Sequence, residues 1–179
     1  MHLLVLLVAV RIGAALPDAW SRLGPSYVVA VEAGATVWRQ RLAIVVDGAF
    51  TSPSAQASGM DPAIGAFSAT LDVREVIVGA SLVYRHPIGR VVPYAGAGPR
   101  LVVFDAHETG SAGMGAALPA ERELSVGGGG GGFVGVGVRL GPGEAFVDVR
   151  ADAAPVHNHL SGDVVAGALF VAGGYRLTF

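Results

Sequence analysis

Eight segments of this chain alternate apolar and other residues with a period of two, and the last runs to the final residue. In "GYRLTF", Tyr175, Leu177 and Phe179 fall on one face of an extended strand, with Gly174, Arg176 and Thr178 on the other. Chain ends have few neighbours to order them and usually fray. An alternation kept up to Phe179 therefore predicts a terminal strand docked along its whole length.

The predicted strands are 2–16, 26–38, 41–51, 71–85, 90–104, 124–140, 144–153 and 164–179. Most are long enough for the ~9–11 residues that a tilted membrane-spanning strand needs. The connections at 17–25, 52–68, 105–121 and 154–163 are long, whereas those at 39–40, 86–89 and 141–143 are tight. Regular alternation of long and short connections is what an up-and-down barrel produces, with tight turns at one rim and loops at the other. An even number of strands then puts both termini at the tight-turn rim.

Apolar residues make up 52% of the chain, yet no window reaches the ~18 uninterrupted apolar residues of a membrane helix. The N-terminal run "LLVLLVAV" stops at Arg11. A buried soluble core and a transmembrane barrel both remain, and the charges decide between them. Every cation is Arg, and the residues opposite the apolar faces are Gly, Ala and a sparse set of ions: Arg11, Glu32, Asp47, Glu75, Arg85, Arg100, Arg139, Asp148, Arg150, Asp152 and Arg176. A water-facing surface is normally denser in charge. A nearly balanced set on eight strands fits a narrow lumen in which each ion finds a partner and small residues leave room for long ones. The Val, Leu and Ile faces then meet lipid, and polar substitutions at neighbouring lumen positions should be tolerated. The expected fold is all-β, an eight-stranded antiparallel up-and-down transmembrane barrel, with residues 1–179 as one domain.

Residues 2–16 read as the first strand; the alternative is a signal-peptide remnant, with Ala14 and Ala15 near a cleavage region. An Arg inside the apolar run and the lack of a cationic start favour the strand. An export signal would then lie outside this sequence. The formal net charge of −2 gives no basis for a nucleic-acid partner, and the absence of Cys excludes disulfides and thiolate metal sites.

"GYRLTF", the strand "VVPYAGAGPRL" and the eight-strand rhythm resemble bacterial outer-membrane barrels of the outer-membrane-protein-A-like superfamily. The resemblance implies residence in the bacterial outer membrane. It also implies that Tyr175, Leu177 and Phe179 form the signal read by the barrel-assembly machinery. The run Gly127–Gly132 departs from good strand composition and predicts weak order there.

No residue is expected to be catalytic, and no cofactor or metal is expected. His157 and His159, with Ser161 and Asp163 nearby, suggest a metal site or a rim-facing lipid hydrolase, but a polar loop holding two His accounts for them better. Asp148, Arg150 and Asp152 read as structural ion pairs in preference to acid–base catalysts. The glycine run lacks the Lys-Ser/Thr and helix of a phosphate loop. The expected function is a monomeric outer-membrane barrel with a plugged lumen, in contact with outer-membrane lipid, whose role is structural or is surface binding or adhesion to a ligand through its long loops. A small porin-like channel is the alternative; a lipid hydrolase and a soluble lipocalin-like carrier rank below it.

Overall fold

The structure is a computed structural model that describes residues 5–17, 23–38, 41–62, 65–113, 116–158 and 162–179. Its strands are β1 (Leu6–Leu16), β2 (Ser26–Trp38), β3 (Leu42–Thr51), β4 (Ser54–Asp61), β5 (Gly65–Arg85), β6 (Val91–Ala112), β7 (Ala116–Ala117), β8 (Glu121–Leu140), β9 (Gly143–Asn158), β10 (Gly162–Ala166) and β11 (Leu169–Thr178). Eight of them form a closed antiparallel ring in the order β1, β2, β3, β5, β6, β8, β9, β11. Closure runs through β1, where Val10 pairs with Val31 on one side and Tyr175 on the other. An open strand edge in hydrocarbon would leave backbone N–H and C=O groups without partners, and ring closure removes that edge. The docking extends to the last residue: Phe179 N–H donates to Leu6 O at 3.0 Å, and Leu6 N–H donates to Phe179 O at 3.1 Å.

Period-two alternation sets the two faces. In β1, Leu7 and Ala9 are 2% exposed, while Val10 is 57% and Ile12 66% exposed. The same outward apolar stripe continues through Val29 and Val31, Ile44 and Val46, Val78 and Leu82, Val134 and Val136, Val147 and Val149, and Val171. A continuous exposed ring of branched aliphatic side chains costs heavily in water and is what lipid contact requires. Outward aromatic residues mark its ends. Tyr27 and Phe50 pack together at the long-loop side, with ring centroids 6.3 Å apart. Trp38, Tyr84, Tyr175 and Phe179 lie exposed towards the tight-turn side. No helix among the described residues is long and apolar enough to cross a membrane.

Several boundaries differ from the sequence reading. Much of the expected loops at 52–68, 105–121 and 154–163 is strand: β5, β6, β8 and β9 run past the apolar band, and β4, β7 and β10 pair onto their extensions. Ladder hydrogen bonds organise this outer ribbon, so its Ser-, Gly- and Ala-rich composition does not prevent strand formation. The last segment is not one strand from 164, because Gly167, at φ 107°, separates β10 from β11. The first strand is described from Leu6. The glycine run is ordered: Gly127–Gly132 pair with Val102–Ala97, and Gly130–Gly132 also pair with Ala153–Ala151. One ladder along the whole run, and a second along Gly130–Gly132, supply the order that side chains cannot.

Candidate functional site

The inward faces of the ring strands converge on a buried chain of ion pairs. From the tight-turn end, Arg85 Nη2 meets Glu144 Oε2 at 2.6 Å, and the other oxygen of Glu144 accepts from Arg176 Nη1 at 2.9 Å. Arg176 Nε donates to Glu32 Oε1 at 2.7 Å. Arg11 stands near Glu32 at 3.6 Å, Asp47 at 3.3 Å and Asp148 at 3.5 Å. Arg150 Nη1 donates to Asp47, and Arg100 Nε donates to Asp152 Oδ1 at 2.9 Å. Arg100 also donates to Ser81 Oγ at 2.9 Å, and Tyr94 O–H to Asp148 Oδ2 at 3.2 Å. All of these ionic side chains are buried, and carboxylates take over hydrogen bonds that water would otherwise supply, although Nε of Arg85 and Nε and Nη2 of Arg150 have no partner.

Aromatic rings bracket the charges. Arg176 lies over Phe146 at 4.6 Å and Tyr94 at 5.0 Å from the ring centroids, and Arg150 lies over Phe133 at 4.6 Å. Arg is suited to such places because its flat, weakly hydrated cation both stacks and forks. Towards the long-loop rim the charges give way to an apolar cap that includes Val28, Val73, Ile77, Val102, Phe104 and Phe170. The lumen therefore holds large apolar side chains as well as the small and charged ones expected from the sequence. A space of about 10 Å³ lies between the charges and the cap.

Inward glycines are the room in which these side chains lie. A Cβ at Gly79 would collide with Arg100, one at Gly131 with Asp152, and one at Gly137 with the carboxyl end of Glu144. A side chain at Gly137 would therefore require the carboxyl end of Glu144 to shift.

Of the ions expected in the lumen, Arg11, Glu32, Asp47, Arg85, Arg100, Asp148, Arg150, Asp152 and Arg176 meet in this chain. Two do not. Arg139 has the inward parity but sits one strand residue from the tight turn, exposed, and no ion pair joins it to the chain among the described residues. Glu75 is 1% exposed among the residues of the apolar cap, and its Oε2 has no hydrogen-bond partner. Glu144 takes the bridging place that the sequence reading left empty. Its signal was available, since it shares parity with Asp148, Arg150 and Asp152 on β9.

His157 and Asp163 pair in the β9–β10 hairpin, but their side chains, and His159 and Ser161 altogether, lie outside the described residues. On the outer ribbon, Arg122 grips Asp105 through two hydrogen bonds of 2.8 Å. These bonds hold the Asp105 carboxyl below its ordinary pKa.

No family model and no curated protein matches the chain. Solved structures do. A major outer membrane protein from Thermus thermophilus aligns with a TM-score of 0.60 at 14% identity, covering 99% of this chain and 100% of that one. Neisserial surface protein A aligns at 0.52 and 20% identity, covering 98% and 96%. Ail, the attachment invasion locus protein of Yersinia pestis, aligns at 0.52 and 12% identity, covering 99% and 100%. The fold is that of the eight-stranded bacterial outer-membrane β-barrels.

Proposed function

We propose that this chain is an integral barrel of the bacterial outer membrane whose lumen is sealed by side chains, and that it acts through its outer ribbon and loops in surface binding or adhesion. Catalysis is no part of this reading, and neither is a cofactor. The observation that supports it is a buried ion-pair chain beside an apolar cluster, inside a ring whose outer face is aliphatic. An eight-stranded barrel has an interior only wide enough for side chains to fill. The ribbon formed by the extensions of β5, β6 and β8 with β4 supplies a polar surface beyond the lipid band. Adhesion draws support from the attachment invasion locus protein, whose name denotes attachment and which shares the fold. The barrel would be monomeric, surrounded by outer-membrane lipid. Tyr175, Leu177 and Phe179, which share the outward face at the closing seam, would be read by the assembly machinery.

Conductance tests the reading. Wild-type protein in planar bilayers should be silent. Replacing Arg100 and Arg150 by Ala removes two of the cations around Asp47 and Asp152 and should produce openings. Large, steady wild-type channels would overturn the sealed lumen and establish the porin-like alternative.

A further inference from the structure

The junction between β10 and β11 turns into the bore. Ala166 is 2% and Ala168 0% exposed, and both belong to the apolar cap. Gly167 between them has φ 107°, and a Cβ there would collide with Asp152 O, so the turn requires glycine. Asp152 N–H donates to Ala168 O at 3.1 Å, which ties the junction to β9. A polar hook reaches it from the opposite wall: the buried Glu75 carboxyl accepts a hydrogen bond from Gly167 N–H. Glu75 is on β5, four strands from β11 in either direction around the ring, so this bond crosses the bore.

The hook is an exacting place for a carboxyl group. Its Oε2 has no hydrogen-bond partner. Its cross-strand neighbours are Thr51 on β3 and Phe104 on β6, and the inward residues beside it on β5 are Val73 and Ile77. Towards the tight-turn side, Asp47, Arg100, Arg150 and Asp152 are bound to one another. Towards the loops, Glu108 on β6 and Glu123 on β8 share its inward parity, while Arg74 on its own strand has the outward one. Thr51 lies one residue beyond Phe50, which marks the end of the aliphatic band, so Glu75 stands outside the lipid-facing stretch. An ionised carboxylate short of partners among apolar side chains is costly to keep buried, and the neutral acid much less so.

We propose that Glu75 and Gly167 form a proton-operated latch: the junction stays folded into the cap while Glu75 is protonated, and ionisation of Glu75 releases it. The closed arrangement holds the neutral acid, and the open one lets the carboxylate reach water. Closure is therefore favoured at low pH and lost as pH rises. Release moves the β9–β10 hairpin that the junction carries, and the ion-pair chain beneath takes no part. The latch thus changes what the long-loop rim presents and leaves conductance alone. It depends on the barrel fold, and on neither the adhesion reading nor the sealed lumen.

The chain has no Cys, so a single introduced one reports on the junction. Ala168→Cys, folded in phospholipid vesicles and checked by heat-modifiable gel mobility, is labelled with a small maleimide. Its rate is divided by that of Met60→Cys, an exposed position on β4, which removes the pH dependence of the reagent. From about pH 5 to about pH 9, the range in which buried carboxyl groups ionise, this ratio should rise about tenfold. With Glu75→Gln added, which keeps the shape and stays neutral, the ratio should remain low and flat. Amide exchange at Gly167 and Ala168 gives a second reading without any cysteine, corrected for its intrinsic dependence on pH. Protection there should fall as pH rises in wild type and not in Glu75→Gln. A junction whose labelling and protection ignore pH, or follow it equally with Gln at 75, would overturn the latch.

Discussion

The two halves of the lumen are lined by different chemistry. Towards the tight-turn rim, ion pairs and the aromatic rings of Tyr94, Phe133 and Phe146 line the bore. Towards the long-loop rim, Val73, Ile77, Val102 and Phe104 line it, each no more than 1% exposed. An apolar plug is tolerant: deleting a methyl leaves a small dry space. A charged plug is not, because each ion removed strands its partner away from water. The charged half should therefore control conductance and the apolar half should contribute stability alone.

Arg176→Ala strikes that contrast hardest. It strands Glu32 and Glu144 and removes the cation over Phe146 and Tyr94. The expected cost is about 3–5 kcal/mol, read by urea unfolding in vesicles, together with bilayer openings more frequent than those of wild type. The outside of the barrel comes next. Val136→Arg on the lipid face should cost about 2–4 kcal/mol if that position lies near mid-membrane; a variant that unfolds like wild type would place Val136 away from lipid. Ile77→Val in the apolar cap should cost about 0.5–1.5 kcal/mol and leave the bilayer silent. Openings in this variant would erase the distinction between the halves.

The smallest effect belongs to the outer ribbon, where Asp105→Asn breaks the pair with Arg122. The Asp105 carboxyl is held below its ordinary pKa, so its contribution is present above the usual carboxylate range and is lost as pH falls through the depressed value. Exposure of Arg122 keeps that contribution small. Unfolding curves of variant and wild type should differ slightly at neutral pH and coincide in strong acid.

The legible part of this molecule is whatever depends on parity. Glu32, Asp47 and Arg100 each identify the inward face of their strand, and the structure buries all three. The glycine run misled because strand propensity weighs side chains, whereas Gly127–Gly132 are held by ladders on neighbouring strands. The outer ribbon was hidden for the same reason: alternation fades where neither face meets lipid or a packed core.

Period-two spacing, strand number and the rhythm of the turns are local properties, so the sequence by itself determined an antiparallel ring with an aliphatic outside. Which ions meet is a matter of register around the closed ring. Arg176 and Glu32 are 144 residues apart and Arg11 and Asp148 are 137 apart, and only closure of β11 onto β1 brings either pair together. Depth along the strand was likewise out of reach. Parity places Arg139, Glu144 and Glu75 all inside, and only the tilt and stagger of the assembled strands put the first at the mouth, the second in the chain of charges and the third under the apolar cap.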